Sequence, residues 1–77
     1  MLSKKFGIVL RDLRKESKLS QEKLAELADY HRTYISLLER GLRQPTITTL
    51  FDISKALNIP ASSFVKAIED MDQEESS

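Results

Sequence analysis

Arg32, Thr33, Ser36 and Leu37 fall in one short helical stretch, on the side opposite the apolar Ile35 and Leu38. The chemistry these types can do is recognition. A guanidinium can bond both O6 and N7 of a guanine, and a leucine can touch a thymine methyl. Thr33 and Ser36 place hydroxyls beside them. An ordinary solvated helix face would carry the same types, so the surrounding pattern has to decide. Arg40, Arg43 and Gln44 flank the stretch at the level expected of a nucleic-acid backbone. For each of them alone, mobile surface charge is the competing reading. Tyr34 suits a phosphate or sugar contact and equally a partly buried ring.

Catalysis has no comparable set. The chain has no cysteine, so it offers neither a disulfide framework nor a thiolate metal site. Its single histidine, His31, has no carboxylate neighbour beyond Asp29. There is no Ser/His/Asp set and no glycine-rich phosphate loop. No metal, cofactor or small-molecule ligand is expected, and an enzyme is the weakest reading.

The elements that must hold these residues read as helices. At 77 residues the chain is one small domain. Such a domain buries only about 60% of its unfolded surface, so its core must be economical and dimerisation would help it. Phe6, Val9, Leu10 and Leu13 recur at helical spacing over about residues 3–17. Ser20 reads as an N-cap, with Leu19 and Leu24 placed as a hydrophobic staple. A second helix runs to about residue 28 with Leu24, Ala25, Leu27 and Ala28 inward. Asp29-Tyr30-His31 is a short connection to a third helix over about residues 32–40. Gly41 stands where a left-handed C-terminal residue belongs. Thr46 caps a fourth helix, and Asn58 stops it. A short fifth helix, about residues 61–70, carries Phe64, Val65 and Ile68. Residues 71–77 are acidic and are expected to be disordered. No strand signal appears. The fold class is all-α, in a five-helix domain over residues 1–70.

Net charge is zero, yet it is unevenly spread. Residues 1–45 carry a net charge of +4 and residues 46–77 a net charge of −4. A basic binding face with an acidic remainder fits this, as do two solvated surfaces that merely differ. No apolar run approaches the ~20 residues that span a bilayer. The first residues lack the pattern of a signal peptide. A cytoplasmic protein with no membrane partner is expected.

From Ser20 to Gly41 the residues follow a specific pattern: Ser20-Gln21-Glu22-Lys23-Leu24-Ala25, Ala28, Arg32-Thr33-Tyr34-Ile35-Ser36, then Leu38-Glu39-Arg40-Gly41. Pro45, Leu50 and Lys55-Ala56-Leu57 follow. This resembles the phage-repressor-like helix-turn-helix family, also called the XRE family, with the lambda-repressor-like fold. The stretches Arg32–Ser36 and Glu39–Gly41 are also similar to controller proteins of restriction–modification systems. The motif has its own physics. Two short helices joined by a tight turn can present the second to a major groove about 12 Å wide.

The resemblance implies a phosphate contact at Gln21, with Ser20 beside it, and a structural ion pair between Arg14 and Glu39. It also implies a two-fold dimer. Phe64, Val65 and Ile68, with Ile59 nearby, are more apolar residues than a short terminal helix needs, and they are the candidate interface. Capping the monomer's own core is the competing role, with Phe64 inward and Val65 or Ile68 outward. The sequence departs from the family at the turn, where Gly, Val and Ser or Thr are usual in place of Asp29, Tyr30 and His31. Asp tolerates a left-handed conformation. Tyr30 is expected to pack its ring and leave its hydroxyl at the surface, and His31 to cap poorly. The implied function is transcription regulation at operator DNA by a homodimer, of the restriction–modification controller or phage-repressor kind. A protein-interaction module, favoured by zero net charge, and a DNA-binding antitoxin are the alternatives.

Overall fold

The computed structural model describes residues 2–76, with side chains described through residue 71. It contains α1 (Leu2–Glu16), α2 (Gln21–Ala28), α3 (Arg32–Glu39), α4 (Ile47–Ala56) and α5 (Ala61–Ser76). There is no strand among the described residues. No helix is long and apolar enough to cross a membrane.

Each helix contributes one apolar stripe to a common core. Leu10, Leu24, Ile35, Leu38, Ile53 and Phe64 are fully enclosed. The Phe6 and Phe64 rings stack with centroids 4.7 Å apart, joining α1 to α5. Phe64 therefore belongs to the interior of the protomer and is removed from the candidate dimer interface. In so small a domain the largest apolar side chain of the last helix is needed to close the core.

The four connections use one device. Lys18, Asp29, Gly41 and Asn58 all adopt left-handed backbone, with φ of 59°, 62°, 73° and 61°. After each, the next amide reaches back to a helix carbonyl: Leu19 to Arg14, Tyr30 to Ala25, Leu42 to Leu37, Ile59 to Ser54. These bonds satisfy carbonyls that a helix end leaves open. Lys18 is the unexpected member, because a lysine in this region costs roughly 1–2 kcal/mol. At the starts of α2 and α4, Ser20 Oγ accepts from the Lys23 amide at 2.9 Å and Thr46 Oγ1 from the Thr49 amide at 3.1 Å.

The fifth helix runs on to Ser76, beyond residue 70 where the apolar pattern ends. Met71 packs against the core, and no glycine or proline interrupts residues 61–76. The backbone of α5 is helical over the first residues of the acidic segment and on to residue 76. Ser77 lies outside the described residues.

The tightest approach is between α1 and α3. A Cβ on Gly7 would lie 2.4 Å from the Leu38 carbonyl oxygen and 2.6 Å from that of Glu39. Beside this crossing, Arg14 Nε donates to Glu39 Oε2 at 2.6 Å and Arg14 Nη2 to Glu39 Oε1 at 3.1 Å. Arg14 Nη1 donates to the Leu19 carbonyl at 2.8 Å. The side chains are only 12% and 4% exposed.

Two predictions follow from this crossing. Gly7→Ala gains helix propensity worth about 1 kcal/mol. It must also push backbone against backbone, so a net loss of about 1–3 kcal/mol is expected. Thermal melting should show a fall of about 10 °C, since each kcal/mol moves a domain this size by roughly 4–8 °C. An unchanged or raised Tm would refute the close contact. Glu39→Ala leaves the Arg14 charge buried without its partner and should cost about 3–5 kcal/mol in urea unfolding. The double variant Arg14→Met/Glu39→Leu should cost clearly less. Equal losses would show that the uncompensated charge is not the cause.

Candidate nucleic-acid interface

The helices α2 and α3 are each eight residues long, so packing must hold them. Leu24, Ala25 and Ala28 bury one side of α2, and Ile35 and Leu38 bury one side of α3. The small Ala25 and Ala28 let the two helices approach closely. Asp29 turns the chain between them with left-handed backbone.

The opposite edge of α3 is graded. Arg32 and Thr33 at its start are exposed, whereas Ser36 and Leu37 are half-buried. His31 occupies the N-cap position and makes no side-chain cap bond. The start of α3 thus has no side-chain cap, and a helix N-terminus carries partial positive charge. That end suits an anion such as a phosphate.

The flanking residues are held in different ways. Gln21 Nε2 donates to Glu39 Oε1 at 3.0 Å, so this side chain is tied to the Arg14–Glu39 pair. Ser20 Oγ is occupied by its capping bond. Arg40 is exposed and turns back on its own helix, with Nε 3.4 Å from the Ser36 carbonyl oxygen. Gln44 Oε1 accepts from Ser3 Oγ at 3.1 Å, tying the loop after α3 to α1. Arg43 is exposed, with its guanidinium carbon 5.8 Å from the centroid of the Tyr34 ring.

Tyr34 is half-buried, and its hydroxyl hydrogen-bonds Thr49 Oγ1 at 3.1 Å. Thr49 Oγ1 also meets Thr46 Oγ1 at 3.0 Å. Tyr30 packs its ring and keeps its hydroxyl at the surface, as expected, and the hydroxyl has a partner there. Its ring packs 5.1 Å from that of Tyr34, and its hydroxyl donates to Asp52 Oδ2 at 2.7 Å. That hydrogen bond and then burial push the Tyr30 hydroxyl above the usual phenol range, reinforced by the carboxylate's charge. Thr49 and Asp52 were not legible as partners of the turn, because their spacing from the tyrosines is tertiary. The one available signal was that tyrosine hydroxyls near a core need partners.

The remaining candidate interface residues separate. Val65, 40% exposed, and Ile68, half-buried, line an apolar groove with Leu2, Ile47 and Leu50. Ile47 and Leu2 are among the most exposed apolar residues of the chain, at 69% and 61%. Ile59 lines a neighbouring hollow with Phe51, Pro60 and Ala61.

Known proteins share this arrangement. The control protein C.BamHI of Bacillus amyloliquefaciens is 49% identical over 55 residues, which cover 70% of this chain and 68% of that protein. The control protein C.MunI of a Mycoplasma species is 42% identical over 66 residues, 84% of this chain and 89% of that protein. Among solved structures, the restriction–modification controller protein C.Esp1396I superposes with a TM-score of 0.85 at 34% identity, covering 91% of this chain and 92% of that one. That structure is a tetramer in complex with its natural 35 base-pair operator. The helix-turn-helix family model HTH_3 matches residues 10–64. On that match, which takes in the whole of α2, α3 and α4, the chain belongs to the XRE-type helix-turn-helix family.

Proposed function

We propose that this chain is a regulator of transcription, not an enzyme, that binds operator DNA as a homodimer in the cytoplasm. The observation that carries the reading is the division of α3. Ile35 and Leu38 are wholly buried, while Arg32 and Thr33 stand exposed at an uncapped helix start. Such a helix is anchored on one side and readable on the other. Arg32 is assigned the bidentate base contact, with Thr33, Ser36 and Leu37 reading beside it. Arg43, Arg40, Gln44, Tyr34, Ser20 and Gln21 are assigned to the sugar–phosphate backbone. Of these, Gln21 and Tyr34 reach it with side chains that the fold already holds.

The dimer is assigned to the face formed by Val65, Ile68, Ile47 and Leu2, with Ile59 at its margin. A contiguous apolar face on a small monomer is a contact surface by default. The two-fold would set two α3 helices about 34 Å apart, one turn of DNA, on a partly palindromic site. The likeness to C.BamHI and C.MunI favours the restriction–modification controller kind within this class. C.Esp1396I is a tetramer on its natural 35 base-pair operator, and two dimers on paired sites is the arrangement we propose for this chain. Applied here, paired occupancy would make the response to protein concentration steep. Position at the promoter then decides whether polymerase is blocked or recruited.

Two measurements test this. An operator is first selected by the wild type from randomised duplex DNA. Arg32→Ala should lower affinity for it by about tenfold or more and relax preference at one base position per half-site. On scrambled DNA the loss should be small. Arg43→Ala should weaken both DNAs alike and flatten the salt dependence. Equal loss on both DNAs for Arg32→Ala would end its base-reading role. Selection that enriches no sequence would favour a protein-interaction module. Separately, sedimentation should show a dimer for the wild type at concentrations that saturate DNA. Ile47→Asp should shift it to monomer, with dimer dissociation at least about tenfold easier. A wild type that stays monomeric while saturating its operator would sink the homodimer.

A further inference from the structure

The reading helix is held differently at its two ends. At the C-terminal end, Gly7 lets α1 lie against the Leu38 and Glu39 carbonyls, and Arg14 grips Glu39 with two bonds. At the N-terminal end, where Arg32 and Thr33 stand, no side chain caps the helix. The bonds there run to α4. Tyr30, two residues before Arg32, donates to Asp52 Oδ2 at 2.7 Å. Tyr34, one turn later, bonds Thr49 at 3.1 Å. The rings pack on each other, so the two bonds act side by side. Asp52 and Thr49 lie three residues apart and so share a face of α4. The buried Ile35 and Leu38 fix the depth and rotation of α3. Ile35 anchors the inner side of the first turn, and the outer side, where Arg32 and Thr33 stand, is held only through the two tyrosine bonds that bracket it.

We infer that Tyr30 and Asp52 form a lock that sets the position of the first turn of α3, making both of them specificity-determining residues that touch no base. The inference rests on α3 being the helix that reads DNA. A bidentate arginine contact tolerates errors of only about 0.5 Å and 10–20° in the placement of its carrier. An unrestrained first turn spends part of its time outside that range, and only the correct base loses by it. Phosphate contacts are forgiving, so binding to arbitrary sequence is little altered. The lock is short and charge-assisted, since a phenol donates to a carboxylate. It is also at the surface, which keeps its effect modest and local.

The test compares Tyr30→Phe, Asp52→Ala, the double variant and Asp52→Asn with the wild type. Tyr30→Phe removes one oxygen and keeps the ring against Tyr34. Amide hydrogen exchange in the free protein is read first. Tyr34 and Ile35, whose amides bond the His31 carbonyl, should exchange about three- to tenfold faster in Tyr30→Phe. Exchange at Leu10 and Leu24 should not change, which separates loosening of one turn from loss of global stability. Asp52→Ala should act alike, the double variant should be no worse than either, and Asp52→Asn, which keeps an acceptor, should recover part of the effect. Discrimination between the selected operator and its single-base variants should fall by the same three- to tenfold, about the worth of one hydrogen bond, with scrambled DNA unaffected. Unchanged exchange at Tyr34 and Ile35 overturns the lock. So does faster exchange combined with undiminished discrimination by a protein that binds its operator. If the wild type selects no operator, the reading of α3 fails, and the exchange data still decide whether Tyr30 and Asp52 restrain it.

Discussion

The crossing of α1 over the end of α3 is the constraint on which the rest of the molecule depends. Gly7 has no alternative there, because any side chain would meet two carbonyl oxygens of α3. The crossing brings Arg14 within two bonds of Glu39 and one bond of the Leu19 carbonyl. Burying both charges is costly, and their attraction offsets that cost only when the geometry is good and the spare donors are used. Here Arg14 makes its third bond to the chain leading into α2, and Gln21 gives Glu39 a third donor. One ion pair therefore ties together α1, the start of α2 and the end of α3. These are the parts whose relative placement defines the helix-turn-helix unit.

A domain of this size cannot bury all its apolar residues, and the distribution of the surplus is informative. Phe64 is spent on closing the core against Phe6. Leu2, Ile47 and Val65 are left outward around one groove, from the starts of α1 and α4 and from α5. The charges are divided with the same sense. The basic residues belong mainly to the half that contains α1 to α3, and the acidic excess belongs to α4 and α5. Zero net charge is thus compatible with a polyanion at one face, because screening confines each charge to roughly 10 Å of its own surroundings. Acidic side chains on the α5 half also disfavour DNA there, in keeping with the proposed subunit contact on that half.

Much of this was legible in the sequence because it depends on local rules. The five helices follow apolar spacing, Ser20 and Thr46 act as caps, and Gly41, Asn58 and Asp29 take the left-handed positions that suit their types. Features set by tertiary distance were not legible. Nothing in the neighbours of Gly7 announces a carbonyl of α3, and nothing near Tyr30 announces Asp52. Lys18 adopts left-handed backbone against its own preference because the fold needs a turn there. The helix past residue 70 was missed because an acidic stretch reads as solvated, although Met71 still has a core to pack against. Phe64 was legible as apolar, with an inward place and a dimer contact both open, since three apolar residues on a short terminal helix do not by themselves say which faces its own core. At the candidate site, residue types were legible and their engagement was not. Gln21 and Tyr34 look like free polar groups in the sequence, yet both are already bonded within the fold.

That prior engagement bears on the proposed contact with DNA. An eight-residue helix cannot hold its own direction, and a side chain such as arginine adds several rotatable bonds to any uncertainty at its root. Each flanking group bonded within the protein removes freedom before DNA arrives, so less is lost on binding. Gln21 is held by Glu39, Arg43 lies over the Tyr34 ring, and Tyr34 is held by Thr49. Arg32 and Thr33, exposed at the very start of α3, have no such support of their own. Their placement must come from the backbone beneath them, and that backbone is bracketed by two tyrosines whose hydroxyls both end on α4. Tyr30, which stands where the family usually has Val, therefore sits beside the exposed start of α3, where the side chains proposed to read DNA have no bond of their own.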